Sequence, residues 1–167
     1  TNSKKKRTTL TVNYENTTYD WDNMLPAYSR KSSTSAQKNA VATIMYHAGV
    51  ASEMEYGSNG SGTYTDWMAQ GLGDHFGYHV DKFITSYPEW YNSKFEPTEY
   101  NVPVEKFIEY FNADLEEGRP IIMGGQDNRN GGHEFVCDGR NASGQFHINW
   151  GWEGQGNGYF SLDALKM

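Results

Sequence analysis

The residues best suited to chemistry lie in "NGGHEFVCDG", positions 130 to 139, where a histidine follows two glycines and precedes the single cysteine of the chain by four residues. An imidazole exchanges protons near neutral pH and a thiolate is a strong nucleophile, so the two together suggest thiol acyl transfer. Strand geometry argues against that pairing. "HEFVCDG" reads as a strand, which advances about 3.3 Å per residue, so His133 and Cys137 would lie roughly 13 Å apart on one face. A nucleophile and its base share a proton only within about 3 to 4 Å. Cys137 is therefore expected to fill the core, and His133 to serve a nucleophile located elsewhere.

Sixteen residues after His133 comes Asn149, followed by Trp150 in "FHINWGWEGQGNGYFSL". A histidine that takes a thiol proton must be held in one tautomer and one rotamer. Asn149 is a candidate to accept the other ring N–H, with Trp150 covering that bond against water. Gly131 and Gly132 would let a substrate backbone approach the histidine edge. The same residues also make an ordinary strand–turn–strand, so pattern alone leaves both readings open.

The other candidate groups are weaker. His75 and His79 in "DHFGYH" have helical ligand spacing, but Gly77 ends the helix between them and no zincin glutamate follows His75, so no metal site is expected. His47 suits a helix C-terminus, where a cation is favoured. The glycine-serine loop around Ser61 lacks a P-loop lysine and reads as a flexible or peptide-contacting segment. The sequons at Asn16, Asn59 and Asn141 are expected by chance in so Asn-rich a chain.

These groups need elements to hold them. "STSAQKNAVATIMYHAGV" predicts a helix capped by Ser35 and ended by Gly49, with Ala40, Val41, Ile44, Met45 and Ala48 at helical spacing. A second helix is expected over about Thr65 to Phe76. A third, after Pro103, carries Val104, Phe107, Ile108, Phe111 and Leu115 and stops at Gly118. "TLTVNY" near the N-terminus reads as an edge strand. Beyond Arg119, "PIIMGG", "HEFVCDG", "GQFHINW" and "GYFSL" read as strands joined by glycine-rich turns. Helices followed by a consecutive antiparallel sheet is an α+β order.

Composition bounds the class. The 167 residues suit one domain, with 1–18 as a tail or edge segment and 19–167 as the folded portion. With 5 Trp, 12 Tyr and 8 Phe, burial must lean on large rings. A net charge of -7 argues against a nucleic-acid partner, and the basic run Lys4 to Arg7 reads as a solvated tail. No apolar run is long enough to span a bilayer as a helix. The first residue is Thr, so any signal peptide is expected upstream of a processed or trimmed chain. One cysteine allows no internal disulfide.

"GGHEFVCDG…GQFHINWGWEGQGNGYFSLDAL" resembles the C-terminal half of the streptopain family of bacterial cysteine peptidases, which have a papain-like fold. The resemblance extends upstream through "YDWDNMLPAY", "AQKNAVATIMYHAGVASEMEYG" and "HFGY", covering roughly residues 19 to 165. It implies that His133 is the catalytic histidine, Asn149 the residue orienting it and Trp150 the neighbouring tryptophan. It also implies a secreted, virulence-associated endopeptidase made as a zymogen, without cofactor, acting on protein or peptide substrates. Gly131, Gly132 and Ser61 are the candidate substrate contacts. The family's nucleophile sits in a "GCVAT"-like motif, which this chain lacks. "NAVATIMYH" echoes it with Ala40 at the cysteine position, but the order of segments aligns this stretch with a later helix. The nucleophile is thus expected on an N-terminal segment or separate chain, which would make the domain incomplete and the isolated chain inactive. The chain also stops at "LDALKM" where the family continues, and Glu134 replaces a small residue beside the histidine.

Two alternatives belong to other classes. A non-catalytic peptidase-like binding module, a pseudoenzyme or adhesin, accounts for the missing cysteine. A transglutaminase-like site would need a carboxylate in place of Asn149, and only Asp138 lies near.

Overall fold

The structure, a computed structural model, describes residues 8–28, 32–80, 84–85, 99–100, 102–127 and 131–162. The basic run Lys4 to Arg7 and residues 163–167 lie outside the described residues. The chain divides into two compact units, residues 1–81 and 82–167.

In the first unit a 3₁₀ turn, Trp21–Asn23, precedes helices α1 (Ser35–Ala51) and α2 (Thr65–Phe76). The cap of α1 is Thr34 rather than Ser35. The Thr34 hydroxyl accepts the Gln37 N–H at 3.3 Å while Gln37 Oε1 accepts the Thr34 N–H at 2.9 Å, a reciprocal capping box. Gly49 does not end α1. It is buried inside the helix, at a point where a side chain would land on the Tyr56 hydroxyl, so it serves a close contact and not a cap. Of the expected apolar stripe, Ala40 is buried whereas Met45 is 66% exposed. Helix α2 has the expected bounds. Gly77 closes it at φ 72°, and the Tyr78 N–H returns to the Leu72 carbonyl at 3.2 Å.

No strand forms over 9–14. Rings dock that segment onto the helices instead. The Tyr14 hydroxyl donates to the His47 carbonyl at 2.8 Å and its ring stacks on His75 with centroids 4.0 Å apart. Tyr19 places its hydroxyl 3.0 Å from His47 Nδ1. A Glu55–Gly62 bridge closes the glycine-serine loop and leaves Ser61 exposed.

In the second unit, short strands β1 (Ile84–Thr85) and β2 (Glu99–Tyr100) pair in parallel. Helix α3 (Val104–Glu116) follows, and β3 (Ile121–Asp127), β4 (Gly131–Arg140), β5 (Phe146–Asn149) and β6 (Gly158–Phe160) form an antiparallel sheet in sequence order. This is the α+β arrangement read from the sequence. Phe111 of α3 meets Phe146 of β5 edge to face, with centroids 5.5 Å apart. Around that contact Phe135, Cys137 and Ile148 complete a buried cluster, flanked by Phe107, Ile108 and Leu115 of α3 and by Trp150 and Phe160. Among the described residues no helix is long and apolar enough to cross a membrane.

The crossing of α1 and α2 depends on Gly71. A Cβ there would stand 2.5 Å from the Ala51 carbonyl oxygen, a backbone atom that moves only with its helix. Replacing Gly71 by Ala should cost about 1–3 kcal/mol, the range for overpacking, in urea-unfolding experiments. Unchanged stability would contradict this close approach.

Candidate active site

Strand β4 carries His133, Phe135 and Cys137 on one face by simple alternation. Phe135 and Cys137 are buried and His133 is partly exposed, so the imidazole stands where the core opens to solvent. In register, His133 lies opposite Gly125 and Cys137 opposite Ile148. Cys137 has no exposure, and burial pushes its thiol up to about 11. A thiol so placed is protonated and inaccessible at neutral pH, which is the reverse of what a nucleophile needs.

The ring nitrogen Nε2 of His133 lies 2.8 Å from the backbone carbonyl oxygen of Trp150. A carbonyl only accepts, so Nε2 carries the proton in this contact and Nδ1 keeps the lone pair in the neutral ring. The side chain of Asn149 is not the group bonded to the imidazole: its Oδ1 accepts the Gly151 N–H at 3.0 Å. That N–H belongs to the same planar peptide unit as the Trp150 carbonyl. Because the N–H and C=O of a trans peptide point in opposite directions, holding the one aims the other. Asn149 is thus coupled to His133 through one peptide plane.

Aromatic rings flank this arrangement. Trp152 lies against the imidazole with centroids 4.7 Å apart and an interplanar angle of 32°. Trp150 packs on Phe135 at 4.6 Å and stacks with Trp152 at 5.9 Å. The connection from β5 to β6 that carries both tryptophans doubles back tightly, with Gly151, Glu153, Gly154 and Gly156 all at positive φ. Two further bonds tie Trp150 down. Its backbone N–H donates to Asn157 Oδ1 at 3.0 Å, and its indole Nε1 donates to the Gly156 carbonyl at 3.1 Å.

Gly131 and Gly132 are exposed at the start of β4, immediately before His133 in the chain, and Gly131 has φ 87°. Ser61 belongs to the first unit, on the exposed loop described above. Trp152 and Phe135 escaped the sequence reading as parts of the site. The signal available for Trp152 was the second tryptophan of "NWGWEG", two residues after the first. Among the described residues no group of three or more His, Cys, Asp or Glu side chains is placed to hold a metal.

Similarity to known proteins follows the same lines. The Peptidase C10 family model matches residues 1–160. Streptopain of Streptococcus pyogenes is 31% identical over 148 residues, 89% of this chain and 34% of streptopain. The thiol protease/hemagglutinin PrtT of Porphyromonas gingivalis is 31% identical over 154 residues, 16% of its length. Among solved structures, active wild-type interpain A cysteine protease of Prevotella intermedia matches with TM-score 0.70 and 39% identity, over 89% of this chain and 57% of that one. A cysteine-to-alanine mutant of a prointerpain A fragment from the same organism matches with TM-score 0.69 and 40% identity, over 90% of this chain and 43% of that one. The chain therefore spans about a third of streptopain's length and carries a cysteine-peptidase-type fold.

Cys137 should resist a thiol reagent such as dithionitrobenzoate at pH 8 in the folded chain and react at once in 8 M urea. Stoichiometric labelling of the native chain on the mixing timescale would contradict the buried, protonated thiol. With residues 1–160 matched by the family model and streptopain 31% identical over 148 residues, the chain belongs to the Peptidase C10 family, the family of streptopain.

Proposed function

We propose that this chain is the histidine-bearing portion of a secreted cysteine endopeptidase, with the nucleophilic cysteine supplied by a segment or chain outside these 167 residues. The observation that carries the reading is the His133–Trp150 contact. With Nε2 donated to a carbonyl, Nδ1 is left as the acceptor that a catalytic base requires. In the reaction the thiol passes its proton to Nδ1 and the thiolate sulfur attacks the scissile carbonyl carbon. The resulting imidazolium then returns the proton to the departing amine, leaving an acyl-enzyme that water hydrolyses by the same exchange.

Trp150 acts in this scheme through its backbone, and Asn149 as a positioning residue that holds the 150–151 peptide. Trp152 covers one face of the imidazole and limits its rotation. Gly131 and Gly132 leave room beside the base for a substrate backbone, and the exposed Ser61 loop is a second candidate contact. The only cysteine of the chain is buried and protonated, which is why the nucleophile is assigned elsewhere. A zymogen form and export from the cell belong to the same proposal, supported by the likeness to streptopain and to the prointerpain fragment.

The test compares the isolated chain with a longer one extended through the coding sequence upstream of Thr1. The isolated chain should not cleave casein. The extended chain should cleave it in a thiol-dependent way and lose about 10²–10⁴-fold on His133→Ala, the span of general acid–base assistance. Thiol-dependent proteolysis by the pure 167-residue chain, or full activity of the extended His133→Ala variant, would overturn the proposal.

A further inference from the structure

Trp150 is held on both sides of its Cα. On its C-terminal side, the peptide whose carbonyl faces His133 is gripped by Asn149 through the Gly151 N–H. On its N-terminal side, the Trp150 N–H is gripped by Asn157 Oδ1 at 3.0 Å. These are successive peptide planes, and only the φ and ψ of Trp150 lie between them. Fixing one plane leaves the residue free to turn about the other; fixing both determines where the carbonyl points.

Asn157 is well placed to act as the fixed end. It immediately precedes β6, whose first residue Gly158 pairs with Ile148 of β5, and its own N–H returns to the Gly154 carbonyl at 3.4 Å. Trp150, by contrast, has just left β5. The Asn157 side chain thus ties the departing strand to the returning one across the glycine-rich connection. The adjacent Gly156 carbonyl takes the indole N–H of the same tryptophan, so residues 156 and 157 hold both its backbone and its ring.

We infer that Asn157 is a positioning residue for the catalytic histidine, acting through the Trp150 backbone to keep the carbonyl aimed at His133 Nε2. It touches neither the imidazole nor the reacting atoms. What the position requires is an acceptor of this length, so Asp meets the requirement and Leu, of similar size, does not. The inference rests on His133 being the base of a peptidase, but its test reads the ring itself, so a failure of one does not pass for a failure of the other.

The experiment is ¹⁵N NMR of the His133 ring in the 167-residue chain above the imidazole titration range, for wild type, Asn157→Leu and Asn157→Asp. Wild type should show an Nε2–H tautomer with a visible, slowly exchanging ring proton. In Asn157→Leu that proton resonance should be lost and the Nε2–H to Nδ1–H ratio should fall by about fivefold, the worth of one net hydrogen bond. The amides of Cys137 and Ile148 should stay protected, and Asn157→Asp should restore the wild-type ring. An unchanged ring in Asn157→Leu, or equal loss in Leu and Asp, would overturn the inference. If Asn157→Leu fails to fold, two measurements still decide. The Trp150 amide of wild type must exchange slowly and the Asp variant must keep the tautomer; failure of either overturns the claim.

Discussion

One hydrogen bond organises the site: the 2.8 Å contact between His133 Nε2 and the backbone carbonyl of Trp150. A side-chain acceptor could turn away, whereas a carbonyl is fixed by two peptide planes and by the strands at either end of its loop. The cost of this choice is that the loop itself must be rigid. The glycines at positive φ permit the tight reversal, and the bonds from Asn149, Asn157 and Gly156 remove the freedom those glycines would otherwise retain. Hydrogen bonding at the Gly151 N–H also polarises the 150–151 peptide, making its carbonyl a better acceptor for the imidazole.

The core continues the same design. His133, Phe135 and Cys137 share one face of β4, so the residues that bury the sheet against α3 also set the height and tilt of the histidine. Cys137 contributes by being inert: fully buried opposite Ile148, it closes the layer beneath the site without offering a competing thiol. Just past it the ladder shifts register, leaving Asp138 as an extra residue whose carboxylate reaches His147 Nδ1. Carboxylate and imidazole therefore pair away from His133, which leaves Asp138 no part in the transglutaminase-like alternative.

Much of this was legible in the sequence where physics leaves a periodic or punctuated trace. The stripe of Phe107, Ile108, Phe111 and Leu115 marked α3, and the four apolar runs between glycines marked β3 to β6 in order. The failures are specific. "TLTVNY" has strand composition, but its tyrosine stacks on α2 instead, and composition cannot distinguish a ring that faces a sheet from one that faces a helix. Gly49 looked like a terminator because a glycine lying inside a helix against the Tyr56 ring is the same letter as a glycine needed for a left-handed cap. At the site, His133 and the Asn149–Trp150 pair were visible as residue types. The carbonyl that bonds the imidazole was not, since every residue carries one and only the fold selects among them.

The placement of one proton on one ring is read most directly from the ¹⁵N chemical shifts of the neutral His133 imidazole in the wild-type chain. Nε2 should carry the proton, bonded to the Trp150 carbonyl, and Nδ1 should be bare. A proton on Nδ1, with Nε2 bare, would contradict this arrangement.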